Sequence, residues 1–473
     1  MPEPELIFVI PTYRLRDVCE TVEQYDENFW NNGHAARILV FDDSTVANHE
    51  KYYSGLEQTK TWNELFYVGP AEKQAFIEFL NKRLKDRKLE SAVRNLFRPS
   101  YGGNRNFTLI YTLGNYMVSA DDDMRPYALL EDSPESLAPD EICRGKLMRA
   151  SANGFTRRPL DILSAFTDVL GKKVGDLPEN FAKGELVVDT AMELETNVST
   201  GLARDNSLLL EKGKVGRGGT VKIAQTFRSG TNDVDALELV ELFLADEEQT
   251  DPDTLNDVYV LVNFRPAVTN KNWRIDCGVA GYDNTVGLPP FFPTRLRFED
   301  YVYRLWIQQP GIVAAHVDAA QTHIKNNYMR HPLAFEVFNE EVANLLKRKF
   351  KANVRHLNDL TIELGYEGDV TIQDSEQIIE RIRAVRDRAL ACAKATENET
   401  RRTELERFAC NVERAFYGFE ADFFQQNLSR IVDDVVNDIR SALELWPTLV
   451  EICYFRQHTK PLPQTRVKNQ RRE

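Results

Sequence analysis

The chain contains no apolar run approaching ~20 residues, so no segment reads as a membrane-spanning helix. Its six cysteines, Cys19, Cys143, Cys277, Cys392, Cys410 and Cys453, are scattered over 473 residues and form no Cys-x-x-Cys pair. That spacing argues against a zinc ribbon or a disulfide framework and leaves them as small, reduced hydrophobes. The opening Met1-Pro-Glu-Pro-Glu lacks the basic stretch of a signal peptide, so the expected location is cytoplasmic. A net charge of −14 argues against a nucleic-acid-binding body. Histidine is scarce, yet three of the seven, His316, His323 and His331, fall close together.

Hydrophobic residues make up 42% of the chain and charged residues 28%, the balance of an ordinary globular protein long enough for two or three domains. Leu6-Ile-Phe-Val-Ile10 and Arg37-Ile-Leu-Val-Phe41 read as buried parallel strands. Residues 17–30 and 71–95 read as helices, the first closed by Asn31-Asn32-Gly33. Gly102-Gly103-Asn104-Arg105-Asn106 opens a further helix that ends near Gly114-Asn115, before a short strand. The order predicts a mostly parallel α/β sheet with helices on both faces, whose ligands bind beyond the carboxyl ends of the strands.

At one such end stands Asp121-Asp122-Asp123, the densest chemical signal in the chain. Three adjacent carboxylates behind a buried strand repel one another unless a cation is present. Oxygen donors suit Mg²⁺ or Mn²⁺, which bring phosphates with them. Residues 127–257 read as an insertion, acidic at both ends, around the basic, glycine-rich Lys212–Lys222 segment, which does not match a P-loop. Val258–Phe264 resumes the sheet, 277–293 is a Gly- and Pro-rich loop suited to acceptor recognition, and 311–315 is a late strand. Residues 331–458 read as a separate helical domain, a candidate surface for homo-oligomerisation or acceptor binding, and 459–473 as a basic, disordered tail.

Four elements in register, Pro11-Thr12-Tyr13-Arg14, Val40-Phe41-Asp42-Asp43-Ser44-Thr45, Asn104-Arg105-Asn106 and Asp121-Asp122-Asp123, resemble family-2-like glycosyltransferases of the GT-A fold. The resemblance covers residues 5–126 well and 258–330 loosely. It implies a GT-A-like domain over residues 1–330, a nucleotide-sugar donor, most simply a UDP-sugar, and a glycan, small-molecule or protein acceptor. Asp43 would accept the imide N–H of uracil, with Pro11 and Thr12 flanking the base and Tyr13 covering it or simply packing; as a bare residue, Asp43 reads equally as a turn or cap. Arg105 would contact base or diphosphate, Asp121 the ribose or a metal-bound water, and Asp122 the donor sugar. Asp123 and His323 would hold Mn²⁺ or Mg²⁺. Asp300 of Glu299-Asp300 would be the general base of an inverting transfer, and Lys325 and Arg330 would neutralise the departing diphosphate. Two alternatives stay open: a nucleotidyltransferase, although Pro11–Arg16 lacks the glycine such enzymes place after the first strand, and a nucleotide-sugar-binding scaffold without turnover.

Overall fold

A computed structural model describes residues 3–44, 47–149, 151–186, 205–211, 219–230, 257–270, 278–291, 299, 312–324, 342, 345, 350–356, 361–366, 370–416, 421–468 and 470–471. The two apolar runs become β1 (Leu6–Thr12) and β2 (Arg37–Asp42), joined by α1 (Leu15–Asn31). Both are apolar at successive residues because both faces are covered. Ile7, Val9, Leu39 and Phe41 join one core, whereas Phe8, Ile10, Ile38 and Val40 join the other with Val18, Val22, Tyr25 and Phe29 of α1. This is the period-two division of a strand buried on two sides.

The chain continues through α2 (His49–Gln58), β3 (Lys60–Thr61), β4 (Glu64–Val68), α3 (Pro70–Leu84), α4 (Arg87–Leu96), α5 (Tyr101–Tyr111) and β5 (Tyr116–Ala120). The sheet order is β4-β2-β1-β5, with each neighbouring pair parallel. After β4 the chain crosses back to the far side of β1, so the boundary between β1 and β5 is a topological switch point. Crevices at the carboxyl ends of such strands are where open α/β sheets take ligands.

The single helix expected over 71–95 is two, α3 and α4. They are broken at Lys85, which takes a left-handed φ of 55°, and at Asp86, whose carboxylate caps α4 by accepting from the Lys88 amide.

The sheet then turns mixed. β15 (Val279–Asp283) lies antiparallel to β5, β12 (Thr220–Gly230) antiparallel to β15, and β16 (Ile312–His323) parallel to β12. This corrects three expectations. The segment 277–293 is no simple loop, because Val279–Asp283 is a buried strand of the sheet; a Cβ at Gly281 would meet the Phe166 ring at 2.5 Å, so the residue that obscures the strand signal is demanded by packing. The segment 127–257, expected as an insertion, is woven into the same sheet: it supplies β7 (Tyr127–Glu131), β8 (Glu141–Arg149), β9 (Phe155–Pro159), β10 (Ala182–Leu186), β11 (Asp205–Glu211) and β12, with α6 (Ile162–Thr167) after β9, and β13 (Asp257–Phe264) and β14 (Ala267–Asn270) follow it. The late strand runs on to His323, although 316–323 carries polar residues, because the side chains of His316, Gln321, Thr322 and His323 find partners inside.

The third segment is helical in α7 (Ile372–Ala395), α8 (Glu399–Phe416) and α9 (Ala421–Gln457), after a hairpin of β17 (Phe350–His356) and β18 (Thr361–Tyr366). It does not stand apart: Ile378, Ile382, Val432, Ile439 and Trp446 belong to the same core as Ile7, Leu39, Phe76 and Phe107. The Trp446 indole donates to the Leu288 carbonyl at 2.7 Å, and Asp438 accepts from Asn95 at 2.8 Å. No helix among the described residues is long and apolar enough to cross a membrane.

The tail is also ordered where it is described. Thr465–Arg466 forms β19, antiparallel to β4, and Gln470–Arg471 forms β20, parallel to β3. Leu462 and Val467 are buried, and the open edge of β4 offers backbone groups that two residues suffice to use.

Candidate functional site

Three ladders bring the candidate residues together. Pairing of β1 with β2 sets Thr12 beside Asp42, and the Asp43 amide then donates to the Thr12 carbonyl at 2.9 Å. Pairing of β5 with β15 fixes the exit of β5, where the Asp121 amide donates to the Gly278 carbonyl at 2.8 Å. Beyond the triplet, β6 (Met124–Arg125) pairs with the end of β16, setting Met124 opposite His323. The Ile324 amide donates to the Asp123 carbonyl at 2.9 Å. A residue two hundred positions away is thereby placed on the aspartates, with His323 Nε2 3.2 Å from Asp123 Oδ2.

The three carboxylates have different surroundings. Asp121 faces Arg105, whose guanidinium lies 2.7 Å from Asp121 Oδ1 and 3.8 Å from Glu299 Oε1. Burial, together with the charges of Asp123, Asp122 and Glu299, outweighs Arg105 and pushes Asp121 up to about 7. Asp122 is turned inward and is 2% exposed; it accepts from the Thr12 hydroxyl at 2.6 Å and from Arg14. Burial raises its pKa against the pull of Arg14. Its backbone carbonyl accepts from Thr21 at 2.5 Å and from Arg125 at 3.1 Å. So engaged, Asp122 braces the turn rather than presenting itself to a sugar. Asp123 is buried, but His323 and Arg14 hold it ionised, well below the usual carboxylate range.

The side where the base was expected is occupied in another way. Asp43 accepts from Lys73 and, at 3.1 Å, from the Ser100 amide, and burial raises its pKa despite Lys73. Lys73 also donates to Asn104 Oδ1 at 2.7 Å, and Asn104 donates to the Phe41 carbonyl at 2.9 Å. A base bound at Asp43 would share its carboxylate with an ammonium. Tyr13 is 49% exposed, open to a ligand face, while Pro11 is half-buried at the strand end.

Arg105 reaches this cluster because α5 is buried from Gly102 to Tyr111 and capped by the Ser100 hydroxyl, which accepts from the Gly103 amide. A Cβ at Gly103 would fall 1.9 Å from the Arg98 carbonyl oxygen. Gly103→Ala is therefore expected to cost about 1–3 kcal/mol in a denaturation experiment. An unchanged melting curve would mean that the Arg98–Ser100 turn gives way freely.

Thr12, Asp43, Arg105, Asp121, Asp123 and His323 thus flank one switch point. His316 is elsewhere in its bonding, stacked on Phe227 at 4.9 Å and hydrogen-bonded to Gln225. Asp300, Lys325, Arg330 and His331 lie outside the described residues. Two participants carried no assigned role in the sequence reading: Arg14 and Lys73. Arg14 follows the end of β1 and could have been suspected as the counter-charge of the triplet. Lys73 sits in a charged helix and gives no such signal.

Among the described residues no group of three His, Cys, Asp or Glu is placed to hold a metal. The pair Asp123 and His323 nevertheless offers one ionised oxygen and one imidazole nitrogen, a donor set that suits Mn²⁺ when phosphate oxygens and water complete the shell. No family model matches the chain, and no curated protein is significantly similar to it.

Proposed function

We propose that this chain is a metal-dependent, GT-A-like glycosyltransferase that moves a sugar from a nucleotide diphosphate sugar, most simply a UDP-sugar, to an acceptor hydroxyl. The observation that carries the reading is the position of Asp121–Asp123 at the carboxyl end of β5, across the switch point from the end of β1. A nucleotide lying along that crevice would meet Thr12, Tyr13 and Asp43 on one side and the aspartates on the other. Asp123 and His323 would hold Mn²⁺ or Mg²⁺, and the bound ion would withdraw charge from the leaving diphosphate.

The chain's own residues have separable tasks. Asp123 keeps its charge at every pH of interest, because His323 and Arg14 hold its pKa far down. Arg105 holds Asp121 in place from a buried helix, and a donor base or diphosphate reaching it would share its guanidinium with Asp121. Glu299, 9% exposed, meets Arg105; on the resemblance alone, Asp300 is proposed as the base that takes the proton of the acceptor hydroxyl, leading to inversion.

The test is release of nucleoside diphosphate from a panel of UDP-, GDP- and CDP-sugars with and without Mn²⁺. Asp123→Ala is expected to lower metal-dependent release by about 10²-fold or more, the scale of losing a preorganised electrostatic contact. Asp300→Asn is expected to lower turnover with nucleotide binding intact. Full metal-dependent turnover by Asp123→Ala would remove the proposed site.

A further inference from the structure

We propose that Arg14 is the site's own place-holder for a divalent cation: its guanidinium neutralises Asp122 and Asp123 in the metal-free protein and is exchanged, one for one, for the incoming ion. The inference rests on the reading of Asp123 and His323 as the ion's ligands.

The atoms define a competition. Arg14 lies 2.8 Å from Asp123 Oδ2, and the same oxygen is the one that His323 Nε2 approaches at 3.2 Å. An ion held between Asp123 and His323 therefore claims an oxygen that Arg14 already holds. Without either cation, Asp123 would keep only His323 beside it and Asp122 would have no charge partner, which is costly for two buried carboxylates. The site is accordingly stable with the guanidinium or with the metal, and poorly stable with neither.

The surroundings make the exchange inexpensive. Arg14 stands in the short connection between β1 and α1, with about a third of its side chain exposed. Its present position leaves the buried Nε–H without a hydrogen-bond partner. Asp17 Oδ2, on the first turn of α1 and open to solvent, is 3.7 Å from that Nε. The exposed Tyr13 ring lies 5.2 Å from the guanidinium carbon. A modest swing outward would trade Asp123 for Asp17 and the Tyr13 face. Asp122 would keep its bond from Thr12.

The experiment is calorimetric titration of the nucleotide-free full chain with Mn²⁺, together with melting curves with and without the ion. Wild type is expected to bind Mn²⁺, and Asp123→Asn to lose that binding. Arg14→Gln is expected to melt below wild type in chelator, to bind Mn²⁺ about tenfold more tightly, and to gain more melting temperature from it. Arg14→Lys, which keeps a charge but can address only one carboxylate at a time, is expected to fall between them, and it serves if the glutamine variant does not fold. Mn²⁺ binding that depends on Asp123 but is equal or weaker in both Arg14 variants would overturn the exchange and leave the metal site standing. Absence of Mn²⁺ binding in wild type and both Arg14 variants alike would overturn the metal reading, and the exchange with it.

Discussion

Arg105→Met is expected to lower stability by about 3 kcal/mol at pH 8, and by clearly less at pH 5.5. Arg105 is 5% exposed and stands between Asp121 and Glu299. Removing it leaves two carboxylates facing each other beside Asp122 and Asp123. The value sits at the lower end for a broken buried pair, because a third of the Asp121 side chain meets water and is screened. The pH dependence follows from the direction of the shift. Asp121 titrates near 7 in the folded chain, against 3.8 for an ordinary aspartate. A carboxyl whose folded value is raised favours the folded state while protonated. Stability from this group therefore falls as pH rises from about 4 to 7 and stays low above that. Asp122 and Asp43 are shifted in the same direction. Between pH 5.5 and pH 8 Asp123 is ionised whether the chain is folded or not, so it adds no slope between the two test conditions. Without Arg105, its strongest opposing charge, Asp121 rises further and the slope steepens and extends above pH 7. Denaturation of wild type, Arg105→Met and the double variant with Asp121→Asn at both pH values checks this. An Arg105→Met loss of equal size at pH 5.5 and pH 8 would contradict it.

Trp446→Ala is expected to cost about 3–5 kcal/mol and to loosen both halves of the molecule together. The indole is fully buried, lies 6.3 Å from Phe97, and donates to the Leu288 carbonyl. Its removal opens a cavity and also leaves a buried carbonyl without its donor. Trp446→Phe, which keeps most of the packing, is expected to lose roughly half as much. Hydrogen exchange separates two outcomes. A core shared between sheet and helices predicts that protection falls in α4 and α5 as well as in α9. A helical unit standing by itself predicts a loss confined to α7–α9, and that result would be inconsistent with the shared core.

Much of the candidate site could be read from sequence because its strands are locally self-evident. The runs at 6–10 and 37–41, and the acids behind 116–120, announce buried strands and their carboxyl ends without reference to anything distant. β15 gave no such signal: Val-Ala-Gly-Tyr-Asp is short, and its glycine is set by the Phe166 ring, which only the folded chain brings there. The helical pattern of 331–458 could not say what covers its apolar faces, so helices that share a core with the sheet read as a separate domain. The resemblance divided the triplet by expected ligand, but the residues alone did not reveal their different surroundings. Its division into a proton-retaining Asp121, a bracing Asp122 and an ionised Asp123 depends on Arg105, Thr12, Arg14 and His323, which the sheet order assembles.

The pairing of Thr465 with Tyr67 has a consequence for synthesis. On a translating ribosome, α1, α2 and the strands β1, β2 and β4 emerge early and can begin to pair. The outer edge of β4 then waits for a segment that is made only after residue 464. Throughout that interval the nascent sheet presents an unpaired backbone to its neighbours on the same message. Closing the edge is a very long-range step, and such steps are slow. The rate at which the chain is delivered, and whatever shields it in the meantime, therefore bears on how much of it reaches the state in which the aspartates meet their partners.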